Sequence, residues 1–536
     1  MMESKPQVVI VGAGIAGLAA AVTLVESGMF HVVIIEATSR PGGRIHTFNQ
    51  MGAGVIELGA NWIHGEGSNP VYVLARNHGK LKNQDPTSET SSNNRRITDC
   101  DIPDSTLGII DNWLTWTSKN NVYIQEDGTI VPESIVNRVM LWYNNLIISS
   151  KDSSTHEGLS DIGLYLTSGI EKCIQTHVDT EEERRLHRWV GRWLLRAECI
   201  DNACQSVHDL SLPRYNDFDS FPGDFYCSLG REGYQGIVDV LLAKLPKGIL
   251  TYSSPVTRIV MEENDSNASP ERYPIAVHTS GVKAGVIRAD HVIITASLGY
   301  LKSHHIHMFQ PPLPLDLQHA INTIGFGTVN KIFLKFDEPF WDDQKEEGIC
   351  LLWEQDLWHD QGSSRNENDD GKNNPRPVRH DIMRRITGFE IVEGHRDVLC
   401  AWISGKEAEY MEELPDSEIE KLCTDILCKF LKREIPKPVK TVVSRWYSHP
   451  FIRGSYTTPL PVHSTGVEYD TMTCPVYSQH QTVEGSITQI PRLMFAGEGC
   501  TKKYNSTTHG AMVTGQQQAE TIIQSYSAKD KQATNA

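Results

Sequence analysis

The sequence predicts an α/β fold in two domains, and three observations carry that prediction. The chain has 536 residues, well past the size at which a single core stops growing. Residues 7–11 read QVVIV and residues 31–35 read HVVII, short β-branched runs of the kind that form parallel strands buried on both faces. Between them stand GAGIAG at 12–17 and a helix-forming stretch, so strand, glycine turn, helix and strand follow in the order of a βαβ unit.

Each glycine of this turn has a mechanical task. Gly12 permits the tight turn, Gly14 lets the backbone approach a pyrophosphate, and Gly17 lets the helix close on the strand. Ala16, small and inside the same turn, is assigned to the same phosphate-facing surface. The helix expected over Leu18–Ser27 would aim its N-terminal amides and dipole at the phosphates, with Gly28 closing it. Glu36 ends the second strand nineteen positions after Gly17, where a carboxylate accepts hydrogen bonds from ribose hydroxyls. Directly after it, Arg40-Pro41-Gly42-Gly43-Arg44 adds two glycines that allow backbone approach and an arginine, Arg44, able to pair with a phosphate. The unit predicts a dinucleotide site.

Composition bounds the rest. Hydrophobic residues make up 39% and charged residues 22%, ordinary for a globular chain, and no run of about 18 apolar residues is present to span a membrane. The formal charge of −17, from 50 Lys and Arg against 67 Asp and Glu, disfavours nucleic acid and membrane surfaces and is compatible with small cations. The 11 cysteines include no CxxC pair; Cys199 with Cys204 and Cys423 with Cys428, each five apart, are expected in the core, and no metal site is expected. The opening MMESKPQVVIVGAG leaves no room for a cleavable leader and the closing SAKDKQATNA is no peroxisomal tripeptide, so a cytosolic monomer is expected.

Five further segments carry chemistry. Gly59-Ala60-Asn61-Trp62-Ile63-His64-Gly65 follows a strand-like run ending at Glu57 and Leu58, and places an imidazole able to exchange protons near neutral pH. Residues 327–334, GTVNKIFL, read as an alternating strand with Lys331 in an apolar setting, where a lysine is disfavoured by desolvation unless it has a task. Residues 446–456 read WYSHPFIRGSY, residues 493–499 LMFAGEG, and residues 504–511 YNSTTHGA, the last opening a helix.

Together with the N-terminal glycine turn, the ribose acid and the GGR that follows, these segments resemble the flavin amine oxidase family, and within it the polyamine oxidases of the spermine and thermospermine oxidase type. The resemblance implies FAD on a Rossmann-like, glutathione-reductase-like domain interleaved with an α+β substrate domain. It divides the chain into 1–95, 228–297 and 441–527 for FAD and 96–227 and 298–440 for substrate, with helices expected over Ser134–Ile148 and Glu181–Glu198. The runs 248–261 and 291–296 read as strands returning to the nucleotide domain, the polar stretch 84–99 as a loop, 356–380 as a mobile insertion and 528–536 as a polar tail.

The resemblance also implies roles. Gly59, Ala60, Asn61 and Trp62 lie along the cofactor, Val256 near the adenine, and Glu498 at the ribityl and phosphate region. Lys331 hydrogen-bonds through a water to flavin N5, His64 faces the substrate amine, and Tyr456 lies beside the isoalloxazine. Thr508 stands where relatives with a two-ring aromatic cage have tyrosine, at a helix N-terminus that favours negative charge on the flavin. Ser455 replaces the cysteine that attaches the flavin in monoamine oxidases, so FAD is expected to be noncovalent. Glu198 and Asp201 are candidates for the remote cations of a polyamine, since an ammonium in a dry tunnel needs a partner.

The implied reaction oxidises a secondary amine of spermine or thermospermine with O2, giving spermidine, 3-aminopropanal and H2O2. An N-acetylpolyamine oxidase, an L-amino-acid oxidase and a catalytically silent flavin-binding protein are the alternatives.

Overall fold

In the computed structural model of the chain, residues 5–535 are described except 53, 83–120, 157, 263–273, 342–346, 355–378, 459–460, 463 and 482–486. The expected loop at 84–99 and nearly all of the expected insertion at 356–380 lie outside the described residues.

The βαβ unit forms as its sequence dictates. Strands Gln7–Val11 and His31–Ile35 pair in parallel, Gln7 opposite His31 through Val11 opposite Ile35. The helix between them begins earlier than expected, at Ile15 rather than Leu18, because Gly14 is already an extended N-cap (φ −71°, ψ 174°). Gly28 ends it in the left-handed conformation (φ 69°) that glycine adopts without steric conflict. This Ile15–Ser27 helix is apolar on nearly all sides because it is covered twice, by the sheet and by the long C-terminal helix Thr508–Asn535. The second contact is close enough that a Cβ added to Gly515 would come within 2.1 Å of the Ala16 carbonyl oxygen. Leu18 and Leu24 are fully buried in this sandwich, each contributing about 1.5–3 kcal/mol; a charge at either would open it.

The sheet built on this unit has six strands in the order Val476–Gln481, Ile487–Phe495, His291–Ile294, Gln7–Val11, His31–Ile35 and Leu250–Thr251. All neighbours are parallel except the first pair. Of the run 248–261, Leu250–Thr251 joins this sheet, whereas Val256–Met261 pairs with Phe309–Gln310 and Ile275–Thr279 in a separate four-stranded sheet completed by Gly285–Ala289.

A second six-stranded sheet runs Lys440–Val443, Val329–Lys335, Val398–Ser404, Gly388–Ile391, Gly348–Leu352 and Asn121–Gln125. Lys440–Val443 thus pairs within this sheet, across the boundary expected at 441. The expected alternation of residues 327–334 is corrected here: Val329 through Leu334 are all buried, because the strand has a neighbour on each edge and is covered on both faces. Helices Glu133–Ser149, Ile162–His177 and Glu181–Asp201 pack together over a shared apolar core beside it. The spacing of the first and third was legible and the second was not foreseen; the third runs three residues beyond the expected Glu198, and that extension carries Asp201.

Of the cysteines expected in the core, Cys199, Cys204 and Cys423 are buried and Cys428 is half-buried. The stretch expected as a polar tail continues the C-terminal helix as far as Asn535.

Candidate active site

Between the two large sheets lies a cavity of ≈ 430 Å³, within the range of about 300–1,000 Å³ that small-molecule sites occupy. Every site residue expected from sequence lines it except Gly17. Gly17 acts one layer back: a Cβ there would stand 2.1 Å from the Gly12 carbonyl oxygen, so the bare backbone is what lets the helix close on the turn.

At one end the wall is backbone. A Cβ on Gly14 would meet nothing nearer than the Gly42 carbonyl oxygen at 4.0 Å, and one on Gly497 nothing within 4 Å, so both chains present bare backbone to open space. The Gly42 N–H donates to the Ala13 carbonyl (2.8 Å), tying the second glycine pair to the first turn. Glu36 is buried and braces both: it accepts from the Ala13 N–H (2.8 Å) and from the Thr38 N–H (2.8 Å) and hydroxyl (2.7 Å). Arg44, expected to face a phosphate, lines this end of the cavity. Its guanidinium is held by Glu498 (2.5 Å) and the Ser455 carbonyl (3.0 Å), because Glu498 is the buried carboxylate beside it. Glu498 also accepts from the Thr457 N–H (3.1 Å) and the Ser506 N–H (3.0 Å), so the two expected cofactor residues form one clamp joining four segments. A cradle of exposed glycine backbone followed by a fixed cation–anion pair fits an extended dinucleotide such as FAD.

At the other end the wall is made of side chains. Lys331 is 3% exposed. Its ammonium donates to the carbonyls of Glu57 (2.8 Å) and Gly59 (2.9 Å) and to Asn61 Oδ1 (3.2 Å), and lies 4.4 Å from the centre of the Trp402 ring. Burial lowers its pKa to about 8, although Glu57 and Glu390 oppose the shift. Both acids are themselves pushed up to about 7 by burial.

His64 is held by the Phe225 carbonyl, 2.9 Å from Nδ1, with the Phe225 ring 4.5 Å away. A carbonyl only accepts, so Nδ1 carries the proton and Nε2 has the lone pair in the neutral ring. Burial lowers the His64 pKa, which keeps it neutral at pH 7. The Tyr456 hydroxyl donates to the Ile200 carbonyl (2.5 Å), fixing that ring against the end of the Glu181–Asp201 helix. Thr508 shares a hydrogen bond with the Tyr234 hydroxyl (2.6 Å) at the start of the last helix; the expected helix opening is confined to Thr508 onward, since Ser506 has φ 63°.

The two acids of the third helix differ in kind. Glu198 is buried and its carboxylate already accepts from the hydroxyls of Tyr143 and Tyr215 and from Asn202 Nδ2 (2.7 Å). Asp201, one turn on, is exposed, and the surface it shows lines the cavity. Protein surrounds it, and that desolvation together with the nearby carboxylates of Glu198 and Glu390 raises its pKa well above the ordinary value.

Several cavity residues escaped sequence reasoning. Tyr143 and Tyr215 carry no motif; their positions on a helix face spelled only core. Trp402 and Glu390 sit on strands that reach Lys331 solely through long-range pairing, and Tyr226, edge-on to Trp62 at 5.1 Å, follows an unpatterned loop. Among the described residues no cluster of metal ligands occurs, and no helix is long and apolar enough to cross a membrane.

Known proteins match this arrangement along the whole chain. Residues 15–523 match the family described as flavin containing amine oxidoreductase. A human peroxisomal N(1)-acetyl-spermine/spermidine oxidase is 31% identical over 97% of this chain and 95% of its own length. A probable polyamine oxidase 5 of Arabidopsis thaliana is 27% identical over 98% of this chain and 99% of its own. Among solved structures, a putrescine oxidase redesigned in its cofactor binding superposes with a TM-score of 0.61 at 18% identity, covering 97% of this chain and all of that one, and supports the two-domain α/β fold. With the glycine cradle, the Arg44–Glu498 clamp and the side-chain end of the cavity in view, the chain belongs to the flavin containing amine oxidoreductases and is an FAD-dependent amine oxidoreductase.

Proposed function

We propose that the chain oxidises a secondary amine of a polyamine, spermine or thermospermine, with O2 as acceptor, and that water hydrolyses the resulting imine, releasing spermidine, 3-aminopropanal and H2O2. The observation that carries the reading is Asp201: an acid on the cavity wall, its pKa raised by desolvation and by the neighbouring Glu198 and Glu390, gains most from a cation beside it, and a remote ammonium leaving water needs that partner.

FAD, when bound, takes up the hydride equivalent from the carbon beside the amine and hands the electrons to O2. The chain's own residues prepare that event. Trp62, Tyr226, Tyr456 and Trp402 wall the chamber and exclude water around the reacting nitrogen. Asp201 fixes the far cation, and with it the register of the chain along the cavity. Glu198, held by two tyrosines and Asn202, packs behind it. His64 offers the Nε2 lone pair to the reacting ammonium, which must lose its proton before its α-carbon can give up hydride. Lys331 places an ammonium at the junction of the two ends, held by the 57–61 segment.

Two alternatives are less well supported. An amino-acid oxidase needs a guanidinium for the substrate carboxylate, and the arginines among the described cavity residues are Arg40 and Arg44, both engaged at the nucleotide end. An N-acetylated end carries no cation for Asp201 to meet, although the human relative is named for such substrates. A peroxide-coupled comparison of spermine, thermospermine, spermidine, N1-acetylspermine and L-amino acids tests the assignment: turnover led by spermine or thermospermine is expected, and preference for the acetylated amine would overturn it. A cytosolic monomer belongs to the same proposal, tested by imaging a tagged chain and by light scattering.

A further inference from the structure

We propose that Glu390 is a positioning residue for Lys331: its carboxylate holds the Trp402 indole over the Lys331 ammonium and supplies a negative charge that acts on the same ammonium. Three adjacent strands build the arrangement. Lys331 on Val329–Lys335 lies directly opposite Trp402 on Val398–Ser404, and Glu390 on Gly388–Ile391 lies opposite Cys400 of the same strand. Trp402 and Cys400 are two residues apart and so share a sheet face, which puts Glu390 diagonally across from Trp402. The contacts follow that register. Trp402 Nε1–H donates to Glu390 Oε2 (3.1 Å), the ring centre is 4.4 Å from Lys331 Nζ, and Trp62 stacks on the other flank at 6.3 Å and 17°.

The indole alone could slide along the sheet, and its π-face would then leave the ammonium; the hydrogen bond to Glu390 sets its plane. The charge of Glu390 acts on the same group. The groups that face Lys331 are Glu57 from the Ile56–Glu57 strand, Glu390, and the Cys400 thiol, which burial keeps neutral. Glu57 is committed elsewhere, its carboxylate accepting from Thr47 Oγ1 (2.9 Å) and the Tyr234 N–H (2.7 Å). Glu390 accepts from Trp402, so its charge and the ring position are one device. Since Glu390 titrates near about 7 and Lys331 near about 8, both are charged together in the interval between.

The proposal rests on Lys331 acting in the site, and not on which amine is oxidised. The test therefore uses the FAD-loaded enzyme without amine: competitive labelling with acetic anhydride across pH, with Lys331 acetylation read by mass spectrometry. The native midpoint is expected near about 8. Glu390→Gln is expected to lower it by roughly one pH unit, the size of a lost nearby opposite charge, while Glu390→Asp keeps most of the native value. Trp402→Phe removes the orienting N–H and is expected to lower the midpoint too, which keeps the test open should Glu390→Gln fold poorly. An unmoved midpoint in Glu390→Gln, or equal shifts in the Gln and Asp variants, overturns the proposal. Failure of spermine to be oxidised would leave these midpoints as they are, so the two readings fall separately.

Discussion

The two ends of the cavity are built from different materials. The nucleotide end is largely backbone, set by glycines of the N-terminal stretch, Gly12, Gly14 and Gly17 with Gly42 tied to Ala13, and completed by Gly497 and the Arg44–Glu498 pair. The amine end is side chain, assembled from strands and helices far apart in the chain: His64, Asp201, Lys331, Trp402 and Tyr456 line it, with Glu390 bonded to Trp402. A diphosphate presents the same groups whatever the enzyme does, so its cradle can be a fixed local motif. The amine end must distinguish substrates, and long-range side chains can vary without disturbing the fold.

That contrast makes graded predictions. The largest effect is expected at the backbone end. Gly17→Ala places a Cβ 2.1 Å from the Gly12 carbonyl oxygen, forcing helix and turn apart, and the protein should purify without flavin; a normal flavin-to-protein absorbance ratio would break the claim that this end depends on close approach. Next comes Lys331→Met, expected to retain FAD while slowing turnover on the order of 10²-fold or more; stopped-flow traces of flavin reduction and reoxidation show which half-reaction carries the loss. Asp201→Asn should act more gently, raising KM for spermine about tenfold, equivalent to about 1.4 kcal/mol, with a smaller effect on N1-acetylspermine. Equal effects on both substrates would remove Asp201 from cation recognition.

The smallest effect concerns stability. Glu57 and Glu390 have folded pKa values raised from the ordinary 4.5 to about 7, so their protonated forms favour the folded state; that contribution is complete below 4.5 and fades as pH rises through about 7. Lys331, depressed to about 8, is protonated in both states up to about pH 7; above that the folded state sheds its proton first, which offsets part of the fall. The Tm should therefore fall by a few degrees from these groups between about pH 5 and 8, at about 2–4 °C or less per kcal/mol in a chain this large, and Glu390→Gln should flatten the fall.

The legibility of the sequence follows the same divide. The βαβ unit was readable because its strand, turn and helix signals are contiguous and each glycine has a steric reason. Lys331 and His64 stood out because a cation or an imidazole within an apolar run is conspicuous. The ion pair of Arg44 with Glu498 went unforeseen, because nothing local announces a partner 454 positions away. The Val329–Lys335 strand was read as alternating because burial on its second face comes from layers that only the assembled fold supplies. Glu390 and Trp402 escaped altogether, since strand register and not spacing along the chain brings them to Lys331.

The most direct test of the account is anaerobic mixing of the FAD-loaded protein with spermine, followed at the flavin absorbance band. The account predicts that the band bleaches and returns when O2 is admitted. A band that stays unchanged with spermine and thermospermine, in protein carrying its full complement of FAD, would contradict it.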